Sequence, residues 1–523
     1  MTPLDLGLII VYLSLVFAVA LWAGRGQATD QEYYLAGGRL SWWASGLSVM
    51  ATQTSAISFI SIPAFVAVKP GGGLRFIQYE FAVPLAMLAS MWLIYPSLRR
   101  AQVISIYEFL QQRFDASVRR LLSAVFLLSR GLATGVMVYA TGIVLSVVID
   151  LPFWAVLLII GGGAVAQDMV GGIKAVVYTD VVQMVILVLG LVAAIYYGLE
   201  LLGGWGTVRE AVAPERWTTL TPELGFGGQG ATPLWGFLVG GFFLYVSYYA
   251  TDQSQAQRVL AAGTDQRMRR ALLLNGLARF PLVLLYLILG LVLAALLVAQ
   301  PELSAQLPAD RLDSLVPVFV AGYLPEGLRA LLIAALLSAA MSSLDSALNA
   351  LSAVSARDFL ERPGRSLSIR ENRLVTLGWG VIVTLFAFIV GNIADTVVEA
   401  INKIGSAFYG PVLAAFTAGI LLPRVTATGI KQGIAAGVLL NLSLWLAAPW
   451  INWMWWNAIG LLVAILVALW SARRPSGEVV GAGYVKAQWR DLGAFPLLLL
   501  GWFLLLILVS AGLPGWLGPA TRP

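Results

Sequence analysis

Apolar stretches of about 20 residues or more recur along almost the whole chain and are separated by short polar segments. A stretch of this length is typical of an α-helix that crosses a bilayer, because the helix rises about 1.5 Å per residue through a hydrocarbon core about 30 Å thick. The pattern predicts about 14 membrane-spanning helices. The predicted spans are 5–23, 41–68, 76–97, 120–149, 151–168, 173–202, 231–257, 271–299, 313–354, 373–393, 396–422, 427–449, 452–472 and 491–512.

Two of the predicted spans contain polar interruptions. The second, 41–68, includes the hydroxyl-rich stretch SVMATQTSAISFISIPA with Pro63 inside it, and the seventh, 231–257, includes paired glycines followed by a polar tail. Both are predicted to be broken helices that leave backbone carbonyls free near the membrane midplane. Because the two lie five spans apart, their placement fits inverted repeats formed by spans 2 to 6 and 7 to 11.

Residues 331–356, LLIAALLSAAMSSLDSALNALSAVSA, place polar side chains in an otherwise apolar helix. At about 3.6 residues per turn, four small residues share one face, with Asp345 within about a turn of the three serines among them. These four are Ala339, Ser342, Ser343 and Ser346. A carboxylate at membrane depth costs about 3 kcal/mol on insertion scales, so it is rarely without a function. The segment therefore predicts ion binding inside the membrane.

The composition agrees with an integral membrane protein. Hydrophobic residues make up 59% of the chain and charged residues 11%, with a mean hydropathy of +0.84, whereas about 25% of residues are charged in soluble proteins. The chain contains no cysteine and no histidine, which excludes disulfides, thiol chemistry and imidazole proton relays. The net charge of +6 is spread over short loops and forms no continuous patch, so nucleic-acid binding is not expected.

Lysine and arginine positions predict the topology. Most fall in one set of alternate loops, which includes Arg258 and is assigned to the cytoplasm by the positive-inside rule. The other set contains only Lys69, Arg75, Arg209, Arg216, Arg311, Arg329 and Arg522. Residues 5–23 are interpreted as a spanning helix because Asp5 stands where a signal peptide carries basic residues. We expect a multi-pass protein of the cell (inner) membrane with both termini outside.

Five passages carry a family resemblance. They are ATQTSAISFISIPA at 51–64, GGIKAVVYTDVVQ at 171–183, TDQSQAQRVL at 251–260, SSLDSALNALSA at 342–353 and GPVLAAFTAGILLPR at 410–424. In these motifs the chain resembles the sodium:solute symporter family, which includes sodium/glucose cotransporters, iodide and monocarboxylate carriers, and bacterial sialic acid symporters. The motifs are close to those of the bacterial sialic acid symporters.

The resemblance implies an all-α integral membrane fold of the leucine-transporter type, with five plus five helices in inverted repeat. It divides the chain as follows: an additional helix and cytoplasmic loop at 1–40, a first repeat at 41–203, an outside loop at 204–230, a second repeat at 231–424 and peripheral helices at 425–523. Separately, YEFLQQRFD at 107–115 predicts a short amphipathic cytoplasmic helix.

The resemblance also implies a sodium site between the first and eighth core helices. The matching groups are the backbone carbonyls of Ala51, Thr54 and Ala339 and the hydroxyls of Ser342 and Ser343. Neutral oxygens of this kind bind sodium weakly enough to release it on each cycle. The alternative is that these small residues only allow close helix packing.

A second sodium site occurs in some members of the family. Its matching positions here are Asp180, Ser342, Asp345 and Ser346, although Asp345 stands where the sialic acid symporters have a serine. One or two sodium ions are therefore expected per cycle.

The two aspartates also have other interpretations. Asp345 either adds charge to the second site, turns it into a proton or salt-bridge site, or neutralises Arg130 or Arg279. Asp180 either binds sodium or pairs with Lys174 or another base as a gate. Charges buried in a membrane usually pair.

By the same resemblance, the solute lies between the two broken helices. The candidate solute-binding residues are Ser55, Ser58, Gln78, Glu80, Arg130, Tyr245 and Tyr248. Tyr248 matches an aromatic inner gate. The family's carboxylate-binding arginine falls at Ala133, so Arg130, about one turn away, either reaches an anionic solute or pairs with an acidic residue.

These observations predict a sodium-coupled secondary active symporter that imports a small organic solute, such as a sugar, sialic acid or related organic acid, by alternating access. The alternative is a sodium-coupled monocarboxylate or amino acid carrier. A transporter-like sensor or receptor is the alternative from a different functional class. An enzyme is not expected, because no nucleophile–base pair or metal set is visible. The expected partners are the solute and the lipid bilayer, with the monomer as the functional unit.

Overall fold

The computed structural model describes residues 2–27, 29–149, 151–226, 232–307, 312–361, 365–389, 397–471 and 489–519. The described residues form an all-helical protein whose bridge between Phe226 and Ile451 stands outside any strand. In the first half of the chain the helices are α1 Pro3–Ala23, α2 Asp30–Leu35, α3 Trp42–Gln53, α4 Ala56–Ala67, α5 Ala82–Ala89, α6 Tyr95–Ala101, α7 Tyr107–Arg113, α8 Ala116–Ile149, α9 Phe153–Leu202 and α10 Trp205–Ala211.

The second half contains helices of similar length and several short connectors. The helices are α11 Gly241–Thr251, α12 Gln253–Leu260, α13 Asp265–Ala299, α14 Pro301–Ala305, α15 Leu315–Tyr323, α16 Leu328–Ser355, α17 Ile369–Ile389, α18 Val397–Leu421, α19 Ala427–Ala447, α20 Met454–Ser471 and α21 Phe495–Leu517. Tighter 3₁₀ turns cover Ala36–Gly38, Leu74–Glu80, Pro214–Trp217, Leu312–Ser314 and Trp489–Leu492. Wider π turns cover Ser90–Ile94, Gly236–Gly240 and Ala356–Leu360.

Among the described residues, 11 helices are long and apolar enough to cross a membrane, or 12 when the bent pair α3 and α4 is counted as one span. The helix α9 has 50 residues, and its length of about 75 Å is more than twice the thickness of a bilayer core. Gly172 interrupts it with φ 50° and ψ −154°, between the predicted spans 151–168 and 173–202. The count of about 14 spans and the inverted repeat stay predictions.

Both predicted helix breaks are present. The helices α3 and α4 meet at an angle of 59°, which confirms the break predicted within 41–68. The chain unwinds at Thr54, and the Ser55 hydroxyl accepts a hydrogen bond from the backbone N–H of Ser58 at 3.4 Å. In the seventh predicted span the break falls at Asp252, whose carboxylate accepts from the backbone N–H of Ser254 at 2.8 Å. Each break is therefore stabilised by a side chain that caps the following helix.

One predicted span is wrong. The stretch 313–354 is not a single helix, because α15 ends at Tyr323 and α16 begins at Leu328. Pro325 disfavours the helical conformation of Leu324, which is extended (ψ 139°), and Gly327 adopts a positive φ of 78°. The short helix predicted within 107–115 is confirmed as α7.

The helix α16 is the most enclosed long element of the fold. Of its apolar window 94% is buried inside the protein, whereas the corresponding share is 28% for α1, α17, α19 and α21. It packs against α9, α8, α3 and α4. Its polar side chains therefore face other protein groups and not lipid, which explains how so many hydroxyls are tolerated in it.

The contacts between loops and helix ends fall into two groups, one at each face of the helical bundle. On one face, Asp5 accepts from the Gly327 backbone N–H at 3.0 Å and Arg209 donates to the Leu517 carbonyl at 3.0 Å. On the other face the contacts include Arg99 with Asp265, Arg119 with Asp358 at 2.6 Å, and Lys431 with Ser117 at 2.8 Å. Loops predicted to share a face thus contact one another; the assignment of the second face to the cytoplasm stays a prediction.

Candidate ion and solute sites

The end of α3 meets the middle of α16 next to the α3–α4 break. The Ser343 hydroxyl donates to the Thr52 carbonyl at 3.3 Å, and the hydroxyls of Thr52 and Ser346 are 2.9 Å apart. These bonds hold the two helices together at the point where α3 stops. Thr52, which the sequence analysis did not select, is the link between them.

The predicted sodium ligands lie at the end of α3 and in the middle of α16, and all are buried: Ala51, Thr54, Ala339, Ser342 and Ser343. The Ser342 hydroxyl oxygen has no hydrogen-bond partner within 3.5 Å among the described residues, and it lies close enough to Asp180 to interact with that carboxylate. A buried hydroxyl without a short hydrogen bond is available to a polar ligand. The donor set of neutral carbonyls and hydroxyls fits a sodium ion.

A fully buried ion pair lies within the predicted second site. The Arg258 guanidinium is 3.6 Å from the Asp180 carboxylate, and both side chains are 0% exposed. Arg258 also donates to the hydroxyl of Ser48 at 2.9 Å and to that of Ser346. Ser48 in turn donates to Asp180. The base that pairs with Asp180 is therefore Arg258 and not Lys174.

Arg258 corrects the sequence analysis, which assigned it to a cytoplasmic loop. It lies on α12, directly after the break at Asp252, where its side chain is enclosed between α3, α9 and α16. Charge counts along the sequence cannot separate a loop arginine from one that turns inward. The available signal was its place in the TDQSQAQRVL passage, next to a predicted break.

Asp345 is buried among other charges and has no direct partner in the part of the chain that the structure describes. Neither of its carboxylate oxygens makes a hydrogen bond with a described residue. Asp168, Asp180 and Arg258 lie within electrostatic range of it. The proposed neutralisation of Arg130 or Arg279 by Asp345 is wrong, because those arginines pair with other acids. The sequence analysis did not select Asp168 as a candidate site residue, although a charged residue inside a predicted membrane span often has a functional role.

Arg130 pairs with the residue that breaks the seventh span. Its guanidinium lies 3.7 Å from the Asp252 carboxylate and 5.9 Å from the centre of the Tyr248 ring. Tyr248 packs edge-to-face on Tyr409, with ring centres 6.1 Å apart. Arg130, Asp252 and the two tyrosines therefore form one cluster at this break.

Arg279 pairs beside the other break. Its Nε is 3.2 Å from the Glu80 carboxylate, and its Nη1 donates to the Thr54 hydroxyl at 2.9 Å. The Tyr249 hydroxyl donates to Gln53, the last residue of α3. Glu80 and Tyr245, both predicted as solute-binding, lie together here.

The remaining candidate residues have different surroundings. Gln78 is fully buried and donates to the Thr221 hydroxyl and the Thr232 carbonyl, each at 2.8 Å. Its amide is therefore engaged with the loop that precedes α11. Ser55 caps α4 and Ser58 lies in its first turn, and each is partly exposed.

Comparisons with known proteins agree on one family. The family model described as sodium:solute symporter family matches residues 33–437. The human sodium/iodide cotransporter is 28% identical over 453 residues, which cover 85% of this chain and 69% of the relative. The sodium/sialic acid symporter NanT of Aliivibrio fischeri is 26% identical over 470 residues, which cover 88% of this chain and 91% of the relative.

A solved structure of a Na⁺-coupled sialic acid symporter, substrate-bound and outward-open, has a TM-score of 0.79 at 24% identity. It covers 90% of this chain, and the alignment spans 98% of the solved chain. The likeness is one of fold, which is the leucine-transporter type that the sequence resemblance implies.

Proposed function

Because this chain belongs to the sodium:solute symporter family, we propose that it imports a small organic acid together with sodium by alternating access. It is a multi-pass membrane protein whose coupling ion is sodium, and its relatives are transporters and not enzymes. The observation that carries the proposal is the cluster of buried neutral oxygens beside the break between α3 and α4, which includes the Ser342 hydroxyl without a short hydrogen bond.

In this proposal the sodium ion binds between the end of α3 and α16. Its ligands are the carbonyls of Ala51, Thr54 and Ala339 and the hydroxyls of Ser342 and Ser343. At a membrane potential near 100 mV each inward sodium ion contributes about 2.3 kcal/mol. The ion couples to the solute only if it binds one conformation more tightly than the other. A sodium ion that bridges α3 and α16 orders the break between α3 and α4, so it binds more tightly to the conformation in which that break is ordered.

The cluster around Arg130 serves as the inner gate of the solute site. Tyr248, Tyr409 and the pair of Arg130 with Asp252 lie together at the second break. Opening this gate requires that the ion pair separate and that the rings move apart. Arg130 is then a gating residue, and Asp252 is its counterion.

A second sodium ion is proposed at Asp180, Ser342, Asp345 and Ser346, where it competes with Arg258. Both Asp345 oxygens lack hydrogen-bond partners among the described residues, and one Asp180 oxygen has none within 3.5 Å, so oxygens are available to an ion. Because the guanidinium already contacts Asp180 and Ser346, the ion has to displace it or bind beside it.

An organic acid is favoured over a neutral sugar or amino acid as the solute. Iodide and sialic acid, after which the two relatives are called, are both anionic at neutral pH. The candidate solute site also contains Arg279, a permanent cation, next to the α3–α4 break. A cell (inner) membrane location with both termini outside, and a monomeric functional unit, complete the proposal.

The function is tested by uptake into proteoliposomes that hold the purified chain. An inward sodium gradient is expected to drive accumulation of a labelled organic acid, and a potassium gradient of the same size is not. Current and flux in the same vesicles give the net charge carried with each solute, which for a monoanion is zero with one sodium ion and one positive charge if the second site also binds. The symporter proposal fails if no sugar, sialic acid, monocarboxylate or amino acid accumulates with sodium.

Substitutions on α16 test the first sodium site. Ser342→Ala and Ser343→Ala are each expected to weaken sodium binding by about tenfold or more, because each removes one oxygen ligand. The measurement is the sodium concentration that half-saturates the thermal stabilisation of the purified protein. Ser338→Ala is the matched control, because Ser338 lies one turn earlier on α16 and donates to the Tyr12 hydroxyl. Unchanged sodium affinity in both site variants would place the ion elsewhere.

A further inference from the structure

Arg279 is a buried cation that touches both the α3–α4 break and an acidic partner. The Thr54 hydroxyl accepts from its Nη1, and the Glu80 carboxylate lies at its Nε. A guanidinium carries five N–H groups in a planar fork that matches a carboxylate. Two of these groups face Thr54 and Glu80, and the fork offers further donors to a ligand.

The other groups around Arg279 are also hydrogen-bond donors. Tyr245, Tyr249 and Tyr286 lie within electrostatic range of the guanidinium. The hydroxyls of Tyr245 and Tyr286 are buried and make no hydrogen bond with any described residue. A buried phenol normally has a partner. Hydroxyls without one, beside a guanidinium, suit a ligand that accepts hydrogen bonds.

Arg279 differs from Arg130 in what it touches. Arg130 faces Asp252 and the Tyr248 ring at the second break, among the residues of the inner gate. Arg279 instead bonds to Thr54, whose backbone carbonyl belongs to the proposed sodium site. A ligand that moves the Arg279 guanidinium therefore acts on a residue of the sodium site.

From this geometry we propose that Arg279 recognises the carboxylate of the solute and links its binding to sodium through Thr54. The proposal rests on the proposed symport function and adds the residue that selects a carboxylate. When the solute is absent, Glu80 holds the guanidinium at the break. When the solute binds, its carboxylate accepts from the fork and from the hydroxyls of Tyr245 and Tyr286. By reciprocity, sodium and solute then raise each other's affinity.

The test compares a carboxylate with its neutral amide in the purified chain. Lactate, pyruvate and N-acetylneuraminate are the probes, each paired with its amide, and affinity is measured by titration calorimetry with and without sodium. The wild type is expected to bind at least one carboxylate with sodium and to discriminate against the amide. Arg279→Gln is expected to weaken that carboxylate by about 10- to 100-fold and to remove the discrimination. Tyr245→Phe and Tyr286→Phe are expected to cause smaller losses.

Two further variants keep the test decisive. If Arg279→Gln does not fold, the double variant Arg279→Gln with Glu80→Gln removes both charges together, and it is expected to show the same loss of carboxylate affinity. Arg130→Gln is expected to slow transport but to keep the preference for carboxylate over amide. Sodium titrations without solute check that the ion site is intact in each variant.

The outcomes separate the two proposals. A wild type that accumulates a carboxylate with sodium, while Arg279→Gln binds it equally well, overturns the role of Arg279 and leaves the symport function standing. A wild type that binds the amide more tightly than the carboxylate also overturns the role of Arg279. The same conclusion follows if Arg130→Gln, and not Arg279→Gln, loses the preference for the carboxylate. The symport function itself fails only if the wild type accumulates no solute with sodium.

Discussion

Replacing Arg258 with methionine is expected to lower the stability of the protein by about 3 to 5 kcal/mol. The reason is the complete burial of the pair that Arg258 forms with Asp180, which leaves a carboxylate without a counterion once the guanidinium is gone. Asp168 and Asp345 also lie near this cation, so its loss raises the repulsion among three buried acids. The measurement is the apparent midpoint of thermal unfolding in detergent without sodium.

Two variants show whether burial is the cause. Adding Asp180→Asn to Arg258→Met is expected to recover part of the loss, because the uncompensated charge is removed. Arg39→Met is the control on the surface: its side chain is 74% exposed and pairs with Glu32 at 3.0 Å, and such a pair contributes at most about 1 kcal/mol. If Arg258→Met unfolds at the same temperature as Arg39→Met, the buried pair does not stabilise the fold.

Gly172→Ala is the second substitution with a large expected effect. The backbone at Gly172 has φ 50° and ψ −154°, a conformation that residues other than glycine rarely adopt. Placing another residue in it costs about 1 to 3 kcal/mol. An added Cβ would also collide with the carbonyl oxygen of Tyr33. The variant is therefore expected to lose at least about 2 kcal/mol of stability and to give little folded protein. Yield on size-exclusion chromatography and the unfolding midpoint measure this.

Gly162→Ala is the matched control for that prediction. Gly162 lies in the same helix, has no atom within 4 Å of an added Cβ and has no positive φ. Alanine there is expected to be neutral or to stabilise the helix by up to about 1 kcal/mol. A wild-type melting profile for Gly172→Ala would show that α9 can pass this point as a continuous helix.

Sequence alone predicted the local features of the fold well. Both helix breaks were visible, because polar residues inside an apolar span leave a strong signal, and the break at Thr54 fell within the predicted stretch. The error at 313–354 was also local. Pro325 and Gly327 lie inside that stretch, yet the apolar residues on both sides dominated the interpretation.

The charge pairs were less predictable because they join distant parts of the chain. Arg258 and Asp180 lie on different helices, and the position of each residue in the sequence does not indicate that the other is its partner. Asp345 drew attention through its cost in a membrane, but its place among Asp168, Asp180 and Arg258 depends on how α9, α12 and α16 pack. The sodium ligands were identified through a family motif and not through any pattern that predicts contacts.

The contacts of Asp5 and Leu517 have a consequence for the number of membrane crossings. Asp5 bonds to Gly327, and Asp313 lies near Lys69. Between Asp313 and Gly327 lies α15, which is too short to cross a bilayer, so both contacts are on the same face. Arg216 donates to Val66 at 2.6 Å, and Arg209 to Leu517, so this whole series lies on one face.

A chain whose residues Asp5 and Leu517 lie on the same face crosses the membrane an even number of times between them. The 12 candidate crossings among the described residues meet this condition when α9 is counted once. Counting α9 as two crossings makes the total odd, unless α11 and α12 together form one more. The contact of Arg216 with Val66 favours the larger count, because Leu74–Ala101, α8 and α9 lie between these residues and return to the same face only if α9 crosses twice. We therefore expect the kink at Gly172 to divide two crossings and the break at Asp252 to lie within another.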